Sequence, residues 1–258
     1  MYPYFFFPFT EFKIFTFGLG LSLSFIAFIY MLRKMSKKTG VNQNFFAGNA
    51  LLFVGSTFFF SRLFFIISEW SDYKYLIQDR IVNFFFMTDY NLSFIGGVFG
   101  FLLVLIYLIY RYQQSHEKYI DVIVVSFFFA AIIGYLAALL GGQIYGKPTG
   151  LPIGIVYQGE TMNIPYTSAV IPLALFYSLL SFTTFTLLYI AKELNKIPGF
   201  IGYMGIGIFS IILLVGEFFS GTQDVFHSLI GINLTQVGAI IGIFTSGAWL
   251  FRKIRKIK

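Results

Sequence analysis

Seven separate runs of predominantly apolar residues, near 14–32, 45–68, 92–110, 120–140, 168–191, 199–219 and 233–251, leave few folds open to this chain. Each run is close to the roughly 20 residues that cross about 30 Å of hydrocarbon as a helix. Within lipid a spanning segment must satisfy its own backbone polar groups, so such runs become helices. With 57% hydrophobic and 11% charged residues over 258 positions, the composition lies outside the soluble range. The expected fold is an all-α polytopic membrane protein of seven transmembrane helices. Its expected organisation is one domain over 1–258, with the outer loops 69–91 and 141–167 long enough to carry structure of their own.

The basic residues set an expected orientation. Arg33, Lys34, Lys37 and Lys38 follow the first run, Arg111 and Lys118 the third, and Lys192 and Lys196 the fifth. Arg252, Lys253, Arg255, Lys256 and Lys258 follow the seventh. The alternate loops hold Lys13, Lys74, Arg80 and Lys147 against Glu11, Glu69, Asp72, Asp79, Asp89, Glu160 and Asp224, and are net acidic. Basic loops stay cytoplasmic, which predicts an outside N-terminus and a cytoplasmic C-terminus. The first run has its charges after it and no basic stretch before it, so it is expected to remain as an anchor.

The chain has no cysteine and only two histidines, His116 and His227. Thiolate chemistry, disulfides and Cys-ligated metals are thereby excluded, and neither a metal nor a cofactor is expected. The formal charge of +7 is accounted for by short loops and the C-terminus, so nucleic acid is not an expected partner. The 36 phenylalanines are read as compositional bias and carry no functional weight.

Against this apolar background, Arg62 in "FFFSRLFFII" is the strongest single pointer to function. A charge inside a span costs a few kcal/mol or more unless it is paired or faces a wet cavity. It either ties the bundle together or presents a guanidinium fork, shaped for a phosphate, to an anionic lipid. Glu217, at the end of the sixth run, is a candidate partner or a plain interfacial carboxylate. Asn91, Ser93, Gln143, Tyr145, Lys147 and Gln236 are further polar groups near the same face, and such residues often only bridge helices. Gly96 with Gly100, Gly142 with Gly146 and Gly238 with Gly242 recur at four-residue spacing, which lets helix backbones approach closely in lipid.

Laid out in order, these segments resemble the bacterial prolipoprotein diacylglyceryl transferase family. "FPFTEFKIFTFG" is similar to the family's opening before its first helix, and "SRLFFII" to a G-R-(I/L)-G-Y segment. "LSFIGGVFG" resembles S-F-H-G-G-L-x-G, and "GYLAALLGGQIYGKPTGLPIGIVY" resembles the signature G-R-x-G-N-F-x-N-x-E-x-x-G with its following loop. "EFFSGTQD" and "NLTQVGAIIGI" resemble the closing E-F-F-R-x-P-D and S-x-G-Q-x-x-S segments. The resemblance implies seven helices with the N-terminus outside, in a bacterial plasma membrane. It also implies transfer of diacylglyceryl from phosphatidylglycerol to the lipobox cysteine of a preprolipoprotein, with that lipid and the preprolipoprotein signal segment as partners.

Aligned in this way, Ile95 stands where the family has a histidine, Tyr135 and Ser220 where it has arginines, Ala138 and Gly141 where it has asparagines, and Gln143 where it has an acid. "IPYTSAV" keeps only Pro165 of an H-P-S-Q-x-Y-E stretch, and Phe25 replaces a tyrosine of the first helix. Arg62, Ser93, Phe94, Gly96, Gly97, Gly142, Gly146, Lys147, Glu217 and Gln236 are retained or similar. The expected catalytic set is therefore Arg62, Glu217, Gln143 and Tyr135, and the expected substrate-binding set is Arg62, Lys147, Ser93, Gly96, Gly97 and Gln236. Two functions follow: a divergent transferase that binds phosphatidylglycerol, or a non-catalytic protein that holds a lipid or lipoprotein precursor. A retinal protein does not fit, because the seventh run has no lysine for a Schiff base.

Overall fold

A computed structural model describes residues 4–6, 13–68, 92–157, 164–195, 197–221 and 231–255. The expected outer loop 69–91, Asn91 and His227 lie outside these. Two three-residue strands, β1 (Tyr4–Phe6) and β2 (Lys13–Phe15), pair antiparallel ahead of the helices. Then come α1 (Thr16–Thr39), the short α2 (Asn44–Gly48), α3 (Ala50–Ser68), α4 (Phe94–Arg111), α5 (His116–Gly141), α6 (Leu173–Leu194), α7 (Phe200–Glu217) and α8 (Leu234–Arg255). All but α2 are long and apolar enough to span a membrane, as the seven apolar runs require. The helix α1 runs past the expected end at 32, through Lys37 and Lys38, and stops at Gly40, whose φ of 69° is a left-handed C-cap. Basic residues at that end suit the helix dipole. The second apolar run is broken at Asn49 into α2 and α3, the Asn49 side chain bonding back to the Phe45 carbonyl.

Contacts divide the chain into two compact units: 1–41, 117–222 and 242–258 form the first, and 42–116 with 223–241 the second. In the first, α5 is the most buried span, with Val122, Val125 and Phe128 wholly enclosed. Its small residues admit its neighbours. Ser24 of α1 donates to the Ala130 carbonyl at 2.8 Å, and a Cβ on Gly141 would stand 2.8 Å from Phe17 Cβ. On the other side Gly202 and Gly205 of α7 lie on Ile120 and Val124, and the Phe209 ring meets Phe127 at 4.8 Å. Hydrophobic pressure is weak between helices in lipid, so close backbone approach and cross-helix hydrogen bonds supply much of the cohesion.

The second unit is built on the antiparallel pair α3 and α4. Ser56 donates to the Gly100 carbonyl at 2.9 Å, Ser61 to the Ser93 carbonyl at 2.7 Å, and the Ser93 amide returns a bond to the Ser61 carbonyl. Gly96 and Gly100 face this seam, as their spacing predicts, with rings such as Phe53–Phe101 and Phe60–Phe99 packed beside it. A Cβ on Gly96 would overlap the Phe60 carbonyl oxygen and lie 2.6 Å from Phe64 Cβ. Backbone cannot give way as a side chain can, so Gly96→Val is expected to destabilise by about 3 kcal/mol, the upper end of ordinary overpacking. Gly55→Val, where a Cβ meets nothing within 4 Å, should be close to neutral. Unfolding curves in mixed micelles check the contrast, and equal effects at the two sites would remove the close-seam account.

The pair Gly142 and Gly146 does not pack helices as expected. Gly142 has φ 68° and terminates α5, with its own amide bonding to Leu139 O and the Gln143 amide to Ala138 O, a Schellman end. Gly146 lies beyond it in a bridge to Ser220, where a Cβ would meet Ile171 and the Phe219 carbonyl.

Candidate functional site

In the second unit, Arg62 is 1% exposed, and its guanidinium carbon lies 5.4 Å from the Phe65 ring centre. The preceding residue, Ser61, is locked to Ser93 by the two bonds described above. Ser93 is also the N-cap of α4, its hydroxyl accepting from the Gly96 amide at 3.3 Å. Gly97 follows against Thr57 and Ser61. Four of the expected residues, Arg62, Ser93, Gly96 and Gly97, thus gather at one junction of α3 and α4. The positive end of the α4 dipole and the guanidinium both favour an anion there.

The beginning of α8 belongs to the same unit. Gln236 Oε1 accepts from the Asn233 amide at 2.9 Å, one half of a capping box at the helix start, so this retained glutamine has a structural task of its own. A Cβ on Gly238 would stand 2.7 Å from Ile95 Cδ1. The position where the resemblance expects an imidazole is filled by an aliphatic side chain packed on α8.

The remaining expected residues lie in the first unit. Tyr135 of α5 packs on Tyr177 of α6, ring centres 5.1 Å apart, and the Tyr177 hydroxyl presses on Gly216, immediately before Glu217. Lys147 is exposed, and its backbone is stitched between the Phe219 carbonyl, at 2.9 Å, and the Ile171 amide, at 3.1 Å. Tyr135, Glu217 and Lys147 are therefore brought to one end of this unit. Gln143 is exposed beyond the α5 terminus, its side-chain amide donating a long 3.4 Å bond to the Gly141 carbonyl.

Sequence reading missed Tyr177. Its signal was the helical spacing of Ala174, Tyr177, Ser178, Ser181, Thr184 and Leu188, all buried, which marks one small and polar face of α6. Gly216→Ala would drive a methyl group into the Tyr177 hydroxyl and is expected to cost about 1–3 kcal/mol of stability. Adding Tyr177→Phe should recover part of that loss in a double-mutant cycle. Strict additivity would mean that the two residues do not touch.

Above the helix ends, Tyr145, Tyr157 and Val170 form a small buried cluster with Ile155, Ile164 and Tyr166 against it. Burial raises the Tyr145 hydroxyl above the usual tyrosine range, and neighbouring Tyr166 adds to the effect. Burial alone does the same for Tyr157. Both are held as neutral phenols at physiological pH, donors rather than bases.

A family model described as prolipoprotein diacylglyceryl transferase matches residues 4–252. The phosphatidylglycerol–prolipoprotein diacylglyceryl transferase of Clostridium tetani is 26% identical over 251 residues, covering 93% of this chain and 95% of the relative. The one from Prochlorococcus marinus strain MIT 9215 is 23% identical, covering 73% of this chain and 69% of its own. A second such transferase of Clostridium perfringens is 24% identical, covering 80% and 77% respectively.

Proposed function

Because the chain belongs to the prolipoprotein diacylglyceryl transferase family, we propose that it binds phosphatidylglycerol and transfers its diacylglyceryl group to the cysteine of a preprolipoprotein. The relatives' names supply both substrates. The observation that carries the reading is Arg62, enclosed in an apolar span beside the capped start of α4. A buried guanidinium in the helix that meets the positive end of α4 favours a phosphodiester, and its position inside a span suits a substrate that never leaves the bilayer. The N-terminus is outside and the protein lies in the bacterial plasma membrane, with Arg62 in the outer half of its span.

In this reaction a bond forms between the cysteine sulfur and the glycerol carbon of the lipid, and the bond from that carbon to the phosphate oxygen breaks. The thiol proton is lost and glycerol phosphate leaves with the electron pair. Arg62 holds the phosphate and offsets the charge it gains, with Ser93, Gly96 and Gly97 forming the α3–α4 junction around Ser61, next to it in the chain. Within the first unit, Lys147 is the cation for an anionic headgroup, and Glu217, Tyr135 and Gln143 are the groups that orient a polar ligand at that unit's end, with Tyr177 packed on Tyr135 and Gly216.

Ile95 favours a second reading. An aliphatic group packed on Gly238 offers no proton acceptor, and losing a general base costs about 10²- to 10⁴-fold. On this reading the cleft binds lipid and precursor without turnover.

A transfer assay separates the two. Protein in vesicles of phosphatidylglycerol with labelled acyl chains is given a lipobox peptide, and label is sought on the peptide's cysteine. Transfer supports the first reading. Retention of both lipid and peptide without transfer supports the second, and retention of neither would end both.

A further inference from the structure

We propose that residues 147–156, between α5 and α6, form an apolar lip that lies in the lipid headgroup layer of the membrane the protein spans. This goes beyond the transfer reaction and does not depend on it. From Gly150 the segment reads GLPIGIV, seven residues without a charge or a side-chain hydrogen-bonding group. Leu151 is 57% exposed, Ile153 51% and Val156 43%. Such a patch on a water-facing loop would be costly, and exposed apolar surface of this kind marks an interaction site.

The lip is built rather than loose. Thr149 N–H donates to Ala169 O, Ile155 and Val170 exchange both backbone bonds, Gly154 N–H closes a turn on Leu151 O, and Leu151 N–H is held by Thr149 Oγ1. It has two faces: Ile155 turns down onto Ala138, Leu139 and Ala174 at the helix ends, while its neighbours Ile153 and Val156 turn outward.

Height and continuity identify the occupant as lipid. The helix α6 has 22 residues, about 33 Å at 1.5 Å per residue, close to the roughly 30 Å of the hydrocarbon core. A loop seated on Ala174, at its first turn, therefore sits at headgroup level. Its base is bonded to Phe219 O, and the exposed Phe218 and Phe219 side chains extend the same apolar surface up from the lipid-facing side of α7. Exposed Lys147 at the base of the lip supplies the cation that the phosphate layer attracts.

The absence of cysteine from the chain makes the test direct. Single cysteines at Leu151, Ile153 and Val156 would carry nitroxide labels in the full-length protein in phosphatidylglycerol–phosphatidylcholine vesicles. Phe244→Cys serves as the reference for a lipid-facing span and Gln114→Cys for water. The expected result is high collision with oxygen and low collision with a water-soluble nickel chelate at all three lip positions, on the Phe244 side of the two references. Nickel access equal to that at Gln114 would overturn the proposal. Protection from both reagents that is lost when the protein is diluted among vesicles would overturn it in favour of a second copy. Protection from both that persists on dilution would mean that another polypeptide surface covers the lip, and would overturn it equally.

Discussion

Replacing Arg62 with alanine is expected to weaken retention of phosphatidylglycerol by about 10- to 150-fold, the equivalent of one hydrogen bond to a charged group at about 1.5–3 kcal/mol. Binding of phosphatidylcholine, whose choline balances its phosphate, should change less. If transfer occurs, it should fall further, because a group that meets charge developing in the transition state is typically worth about 10²- to 10³-fold in rate. Arg62 is almost wholly enclosed, so alanine also leaves a cavity and Arg62→Gln is the better-filled companion. Arg62→Lys keeps the charge but loses the fork, and should fall between the parent and Arg62→Ala. Native mass spectrometry of the lipid carried by each variant, beside circular dichroism to verify folding, reads the result. A folded Arg62→Ala protein that holds phosphatidylglycerol as well as the parent would remove Arg62 from the site.

The second large effect is expected near the start of α5. Asp121 has no exposed surface, and its carboxylate accepts from Lys192 Nζ at 2.5 Å, from the Gly202 amide at 2.7 Å and from the Gly199 amide at 3.0 Å. One residue thus caps the start of α7, where Gly199 takes φ 83°, and neutralises the last turn of α6. Removing one partner of such a pair strands the other, and costs about 3–5 kcal/mol. Asp121→Ala is expected in that range. Asp121→Asn should cost somewhat less, since one acceptor remains, but its NH₂ faces amide donors. Reversible unfolding in mixed micelles measures both, and a loss below about 1 kcal/mol would show that the cluster is not a structural tie. Neighbouring contacts, Lys253 with Glu117 at 2.9 Å and the stacked Tyr203 and Trp249, gather at the same end.

The seven spans were legible because lipid imposes length and apolarity on every helix that crosses it, whatever its neighbours. Gly96 and Gly100 were legible for a related reason, since close helix seams in lipid select small residues. Gly142 was misread because the same glycine spacing also arises where a helix ends, and only the backbone angle separates the two uses. Arg62 and Ser93 stood out as polar groups in apolar surroundings. Tyr177 did not, in a chain with 17 tyrosines, because its meaning comes from Gly216 on another helix. Asp121 was hidden among the charges at helix ends, where most acids are solvated, and its burial depends on Lys192 and on two backbone amides that no periodicity reveals.

The span between Asp121 and Lys192 also bears on how the chain is made. The two are 71 residues apart, so α5 leaves the ribosome and meets the membrane well before its counter-charge and the amides of Gly199 and Gly202 have been synthesised. Until then a carboxylate that has no exposed surface in the folded protein lacks the partners that make its burial favourable. The tie closes only once α6 and the start of α7 are in place, so it joins segments made at well-separated times.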